Sequence, residues 1–201
     1  MRLNFKHTKV NNKKVEKGLS LIESAMVLAL AATVTAGVMF YYQAASDSNK
    51  TQAAISEVMS ATSAINGLYI GQSGYSGLDG NVLKNSSAIP ENYKSGSKIM
   101  NPFGGELQVA AATGTGLGYG YHLTLTELPK SACISLATLN LGTSAYGYGI
   151  GISSPQNHTQ FDSSNSGSTS DSVAKKNALS PSDASGVCKD GNNNKVTYFM
   201  K

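Results

Sequence analysis

The residues with the clearest chemistry lie just before a long uncharged segment. Lys17-Gly18-Leu19 ends a basic leader, and no charged residue occurs from Ser24 to Ser46. Gly18 lacks a Cβ, so an extended backbone there can lie close to a protease. We therefore predict cleavage between Gly18 and Leu19. In an ordinary secretory signal the cleavage site follows the apolar segment, which is then discarded, whereas this cleavage would keep it.

Glu23 is the second residue to which we assign a chemical role. It would be the fifth residue of the processed chain, at the edge of the apolar segment. A carboxylate at the centre of a bilayer costs on the order of 2.5 to 3.5 kcal/mol on insertion scales. The position therefore favours a functional group, although a side chain that simply reaches the aqueous interface is an alternative.

Cys133 and Cys188 are the two cysteines of the chain. Both follow the apolar segment, on the side predicted to face an oxidising compartment, where paired thiols are usually bridged. We predict a disulfide between them, with two buried free thiols as the weaker alternative. Closing a loop of about 55 residues would contribute roughly 4 kcal/mol at most.

Other chemistry finds little support in the sequence. His7, His122 and His158 are scattered, and none stands at metal-ligand spacing from the cysteines. The Gly-rich stretch 113–121 lacks the lysine of a phosphate-binding loop and is predicted to be a hairpin turn. No matched carboxylate or nucleophile lies near His122 in sequence, and nothing marks Glu106 and Glu127 as an acid and base pair. We predict no enzyme activity, no metal and no cofactor.

The positive charge of the chain is concentrated in the leader. The whole sequence carries +4, but residues 1–18 hold six basic residues and one acidic residue, so the remaining chain carries −1. A retained nucleic-acid-binding face would need clustered Lys and Arg, so no nucleic-acid partner is expected. Basic residues flanking an apolar span stay cytoplasmic. The chain after Tyr42 is therefore predicted to cross the membrane.

The uncharged segment is long enough to cross a bilayer once. From Ser24 to Tyr42 a helix would span about 28 Å, close to the hydrocarbon thickness. The helical pattern continues beyond it and predicts one helix of about fifty residues. Its second half carries one apolar stripe, with charged and polar residues such as Lys50 and Glu57 on other faces. The stripe comprises Ile55, Val58, Met59, Thr62, Ile65 and Tyr69.

The rest of the chain predicts a mixed domain of helices and strands. Apolar alternation and β-forming residues predict strands at 106–111, 120–126, 147–153 and 195–201. Helices are predicted over 128–139 and from Ser180, with Ser180 as N-cap and Pro181 at the first helical position. Residues 71–102 are predicted to be irregular apart from a helical turn near Val82, and 153–172 to be a solvated loop. The fold class is α+β, a long N-terminal helix packed on an antiparallel sheet, with a disulfide-stapled C-terminal region.

The leader and helix together resemble the class III leader of type IV prepilins. That pattern is a basic leader, Gly at the cleavage site, an apolar first residue, Glu at the fifth position and about twenty apolar residues. A leader of 18 residues followed by Leu is similar to the type IVb subclass. Asn-Pro-Phe-Gly-Gly at 101–105, the late cysteine pair and the closing Lys-Val-Thr-Tyr-Phe-Met-Lys are similar to major subunits of bundle-forming pili. The likeness runs from the leader to the last residue and is weakest over 153–172.

This resemblance implies a specific organisation. Residues 1–18 would be the leader, 19–46 the transmembrane and filament-core helix, and 47–201 the periplasmic or extracellular globular domain. Leu19 would be N-methylated after cleavage, and Glu23 would pair with the Leu19 amine of a neighbouring subunit. The segment between Cys133 and Cys188 would be the exposed variable region.

The resemblance also implies the partners and the location. The subunit would be held in the inner membrane of a Gram-negative bacterium before polymerising with itself into an extracellular pilus. Its partners would be the prepilin peptidase, the inner-membrane assembly platform, the outer-membrane secretin and the host cell surface. The fibres would mediate autoaggregation and adherence.

Three alternatives remain open from the residues alone. A pseudopilin of a type II secretion system would share the leader, the helix and Glu23. A membrane-tethered extracytoplasmic enzyme would share the anchor, although no catalytic cluster is found. The helix could also be a plain anchor, but its many alanines and Gly37 allow close helix approach and favour assembly.

Overall fold

The computed structural model describes residues 20–161 and 172–201. The predicted leader, Gly18 and Leu19 lie outside the described residues, as does the middle of the predicted loop 153–172. The chain divides into two compact units, one ending at Gln43 and the other running from Ala44 to Lys201. The long helix α1 spans Leu21–Leu68, 48 residues, which confirms the predicted helix of about fifty.

The remaining elements belong to the second unit. The helices are α2 (Gly80–Lys84), α3 (Lys130–Ala137) and α4 (Pro181–Val187), with 3₁₀ turns at Glu91–Tyr93, Gly142–Ser144 and Pro155–Asn157. The strands are β1 (Lys94–Ser95), β2 (Lys98–Ile99), β3 (Leu107–Ala111), β4 (Tyr121–Leu128), β5 (Ala145–Ile150), β6 (Val173–Lys175) and β7 (Asn194–Met200). Each predicted helix and strand is present within a few residues. The short hairpin β1–β2 and the strand β6 were not predicted.

The main sheet has five strands in the order β3-β4-β7-β5-β6, and every pairing is antiparallel. The C-terminal strand β7 is therefore central, between β4 and β5. Six of its seven residues are buried, since both faces of the sheet are covered at this strand. Tyr198 and Val196 point to one face, and Phe199 and Thr197 point to the other.

The first face packs against the second half of α1. Ala54, Glu57, Val58, Ala61 and Ile65 are the buried residues of that helix. The predicted stripe was therefore partly wrong. Val58 and Ile65 are buried, but Met59 is 59% exposed, and Glu57, predicted on a solvent face, is only 5% exposed. The buried side of the helix therefore includes Ala54 and Ala61, which were not part of the predicted stripe.

The second face is covered by the segment after β5. The Tyr119 hydroxyl donates to the carbonyl of Pro155 at 2.7 Å and accepts from the amide N–H of His158 at 2.8 Å. The His158 ring stacks on Phe199 at 5.5 Å between centroids. The described start of the predicted solvated loop is thus partly packed on the sheet, with Pro155 buried. From its polar composition the sequence analysis predicted a solvated loop and did not predict these contacts with the sheet.

The Asn-Pro-Phe-Gly-Gly motif is a turn that docks on the end of β4. The Asn101 carboxamide donates to the Thr126 carbonyl at 2.8 Å and accepts from the amides of Phe103 and Gly105 at 2.9 and 3.2 Å. A Cβ on Gly105 would lie 2.0 Å from the Thr126 oxygen. Only glycine permits this approach, so the motif fixes the turn against a β-bulge at the end of β4.

Candidate assembly site

The amino-terminal end of α1 is organised by Glu23. Its Oε2 accepts a hydrogen bond from the backbone N–H of Ser20 at 2.9 Å. Ser20 immediately precedes the helix, and the Ser24 hydroxyl donates back to the carbonyls of Ser20 and Leu21. Ser-x-x-Glu is the spacing of a capping box, in which the glutamate satisfies an orphan N–H at the helix start. The sequence analysis did not recognise this second role of Glu23.

The hydrogen bond holds the carboxylate at the backbone of Ser20, the residue that follows Leu19 in the sequence. Glu23 itself is exposed, and among residues 20–161 and 172–201 its one side-chain hydrogen bond is the one from Ser20. Carboxylates at a helix amino terminus are also stabilised by the helix dipole. The end of the helix can therefore hold a negative charge beside the position where the predicted cleavage would create a positive amine.

The first half of α1 presents apolar side chains on all sides. Its large side chains are more than half exposed, from Leu21 at 88% to Phe40 at 76% and Tyr42 at 72%. This helix is long and apolar enough to cross a membrane, and its most apolar window is not buried. Exposing so large an apolar surface to water is unfavourable. The first half of α1 is therefore an apolar surface that the described part of its own chain does not bury.

Cys133 and Cys188 form the predicted disulfide. Cys133 lies in α3, and Cys188 directly follows α4, with 6.0 Å between their Cα atoms in the bonded pair. The disulfide therefore holds together the two helices of the C-terminal half. The Ser180 hydroxyl caps α4 by accepting from the Asp183 N–H, as predicted from the sequence.

A buried ion pair stabilises the same region and was not predicted. The Lys175 ammonium lies 2.8 Å from the Asp183 carboxylate, and both side chains are less than a tenth exposed. The hydrogen bond from Lys175 holds the pKa of Asp183 below its ordinary value. The pair connects the edge strand β6 to α4. Lys175 lies close to Asp183 because β6 forms, and no sequence pattern predicted β6.

Two buried titratable side chains have polar atoms without a hydrogen-bond partner among the described residues. Both carboxylate oxygens of Glu57 and Nε2 of His122 lack a hydrogen bond within the described part of the chain. Burial raises the pKa of Glu57 to about 8. Burial lowers the pKa of His122 to about 4. Both side chains are therefore predominantly neutral near pH 7. His122 is packed in β4, with Nδ1 3.3 Å from the Thr124 hydroxyl.

Glu57 and His122 belong to no metal-binding cluster among the described residues. Across residues 20–161 and 172–201, no cluster of three or more His, Cys, Asp or Glu side chains could hold a metal ion. The Gly-rich stretch joins β3 to β4 as a hairpin connection, as predicted. The features that remain are an apolar exposed helix, a carboxylate at its start and a disulfide-stabilised domain.

Comparison with known sequences finds one family model and two similar proteins. The family model described as bundlin matches residues 43–201. A protein of Escherichia coli O111:H-, described as the major structural subunit of bundle-forming pilus, is 66% identical over 197 residues. That alignment covers 96% of this chain and 99% of the relative. A protein of Escherichia coli O127:H6 (strain E2348/69 / EPEC) with the same description matches at the same identity and coverage.

Comparison with solved structures identifies the fold. The crystal structure of a type IV b pilin from Salmonella typhi matches with a TM-score of 0.53 at 19% identity. The match covers 77% of this chain and 99% of that structure. A likeness at this identity concerns the architecture of helix and sheet. It agrees with the α+β pilin fold predicted from the sequence.

Proposed function

Because this chain belongs to the bundlin family of type IVb pilins, we propose that it is the major structural subunit of a bundle-forming pilus. Its copies polymerise with one another into an extracellular filament. The main support for the proposal is that the large apolar side chains in the first half of α1 are exposed in the single chain. In a polymer these side chains cover one another.

Processing converts the membrane-held subunit into the assembling one. Cleavage between Gly18 and Leu19 removes the basic leader and leaves a positive amine at Leu19, which N-methylation keeps charged. The Glu23 carboxylate, already at the helix start, pairs with the Leu19 amine of a neighbouring subunit. A neutral pair can enter an apolar core at far lower cost than either charge alone. The support for this step is the exposed carboxylate and its position one residue from Leu19.

The remaining partners follow from this route. The prepilin peptidase cuts the leader on the cytoplasmic face, the inner-membrane platform holds the subunits through their apolar helices, and the outer-membrane secretin passes the fibre. The domain from residue 47 onward would lie outside the apolar core. The disulfide between Cys133 and Cys188 stabilises that domain in an oxidising compartment. The assembled fibres mediate autoaggregation and adherence to host cells.

The mass of the protein sheared from the cell surface tests the proposal. We expect a chain that begins at methylated Leu19 and is lighter by the two hydrogen atoms lost on forming the disulfide. Fragmentation from the amino terminus locates the methyl group. A chain that begins after Tyr42, or absence from the sheared fraction, would contradict the proposal. Short structures confined to the periplasm would indicate a pseudopilin instead.

A further inference from the structure

One end of the main sheet carries an open groove on the side away from α1. The groove has a volume of about 430 Å³ and lies where β3 and β7 begin and β4 ends. Gln108, which lines it, pairs with Thr124, and Thr124 pairs with Thr197. Directly paired residues lie on the same side of a sheet. The groove therefore opens on the second face, opposite the face on which α1 packs, and a polymer held together through α1 leaves this side available.

The groove is lined by two side chains of each charge. Lys98 and Lys195 supply the positive charges, and Glu106 and Glu127 supply the negative charges. We call these four residues the charged groove. Lys98 lies 3.6 Å from Glu106, but Glu127 and Lys195 are exposed and form no ion pair with another described residue. One carboxylate and one ammonium group are therefore available to a partner.

The backbone of Glu127 is held in an unfavourable conformation. Its φ of 56° is the one positive φ of a non-glycine residue in the described ranges. A residue with a Cβ is strained there, whereas glycine is not. The Asn-Pro-Phe-Gly-Gly turn fixes this end of β4, since Asn101 donates to the Thr126 carbonyl. Strained residues cluster at functional sites, so the strain points to a use for the glutamate side chain.

We propose that the charged groove binds the same groove of a second copy of this chain in a neighbouring fibre. This inference rests on the proposed function. With two positive and two negative side chains, the groove is complementary to itself when two copies meet about a two-fold axis. Glu127 of each copy then faces Lys195 of the other. A groove without net charge gives no general attraction to an anionic membrane or nucleic acid, which favours a second copy as the occupant.

The symmetry of the contact places it between fibres. Copies that leave one membrane in the same orientation are related within a fibre by a rotation and a shift along the fibre axis. Such neighbours meet through two different surface patches, whereas a two-fold contact uses the same patch on both copies. A single exposed ion pair is weak. Many copies repeat the contact along two fibres, so its strength multiplies.

Charge reversal in the groove tests the contact in purified sheared fibres. Low-speed centrifugation sediments bundles, and high-speed centrifugation sediments all fibres. We expect Glu127→Lys and Lys195→Glu each to reduce the low-speed pellet at least fivefold, because like charges then face one another. The high-speed pellet should stay within twofold of the original. The double variant restores opposite charges and should regain the original low-speed pellet within twofold.

Mixing the two single variants gives the sharpest test. Fibres of Glu127→Lys and fibres of Lys195→Glu carry grooves that are complementary to each other and not to themselves. The mixture should therefore form bundles that neither variant forms alone. Labelling the two kinds of fibre with different fluorophores shows whether both are present in each bundle.

Two charge reversals outside the groove serve as matched controls. Glu91→Lys and Lys176→Glu change the net charge by the same amounts at exposed side chains, and both should leave the low-speed pellet within twofold of the original. Normal bundles from either groove variant, equal losses in the controls, a mixture that stays unbundled, or loss of the fibres themselves would overturn the inference. If the original chain makes no fibres, the proposed function fails instead.

Discussion

The two glutamates of α1 lie in opposite surroundings. Glu23 begins the apolar half of the helix, is exposed, and accepts a hydrogen bond from Ser20. Glu57 belongs to the half inside the globular unit, is 5% exposed, and finds no hydrogen-bond partner among the described residues. In the first half apolar side chains are exposed, and in the second half a carboxylate is buried. The polarity of a residue therefore does not fix its burial along this helix.

The difference shows what buries each half of α1. The second half is covered by its own domain, and that packing is strong enough to bury Glu57 at the cost of its charge. The first half finds no cover within the described part of its own chain. We propose that it is covered first by the bilayer and then by other copies of the chain. Variants at the two ends of α1 should accordingly affect different properties, assembly at one end and folding stability at the other.

Glu23 should have the largest effect, and it should act on assembly alone. We expect Glu23→Ala to be processed and inserted normally but to reduce sheared fibres by roughly a hundredfold, because an unpaired Leu19 amine would have to enter an apolar core. Glu23→Gln can still accept from the Ser20 N–H but has no charge. If pairing is the main role, both variants fail. Normal assembly of Glu23→Gln would show that helix capping is the main role. Fibre yield after shearing, with membrane pilin as control, measures the effect.

The disulfide should have the largest effect on the stability of the globular unit. Replacing Cys133 and Cys188 by Ala should lower the free energy of unfolding by about 2 to 4 kcal/mol, because the unfolded chain regains the freedom of a long loop. Urea unfolding of the full chain in detergent, followed by the fluorescence of its tyrosines, measures this loss. A reductant should destabilise the original chain and leave the variant unchanged. Equal stability of the variant and the disulfide-bonded original chain would contradict the prediction.

Glu57 should make the stability fall as pH rises. Its pKa is raised from 4.5 to about 8 by burial, so the folded state keeps a proton that the unfolded state loses above pH 4.5. The folded state is therefore progressively penalised between pH 4.5 and 8. Glu57→Gln removes this penalty, so its advantage over the original chain should grow by about 3 kcal/mol from pH 5 to pH 7.5. A difference between the two chains that does not change with pH would contradict this account.

His122 should have a smaller effect, of opposite sign. Its pKa is lowered from 6.5 to about 4 by burial, so the unfolded state takes up a proton first as the pH falls. Stability is fully present above pH 6.5 and is lost toward pH 4, by about 2 kcal/mol at pH 5. His122→Gln should unfold with less dependence on pH between 6.5 and 5 than the original chain. Identical pH dependence of the two chains would show that His122 is not buried as described.

Sequence reasoning succeeded where the signal is local. The uncharged run after Glu23 identified the long apolar helix, and alternation in 195–201 identified the last strand. The Ser180-Pro181 start of α4 is a local cap, and it is present. The proposed cleavage after Gly18 stays a prediction, because that residue lies outside the described part of the chain. Each of these features depends on a few neighbouring residues, which the sequence displays directly.

The sequence by itself determined that this chain has a long helix with an apolar first half, an antiparallel sheet and a paired set of late cysteines. Only the tertiary structure decided which side of the second half of α1 is buried, that β7 is central, and that Lys175 meets Asp183. The reason is physical. Composition and periodicity act over one or two turns of chain, whereas burial and pairing depend on residues brought together from distant positions. Glu57 belongs to the second group, since its surroundings, rather than its residue type, hold it uncharged.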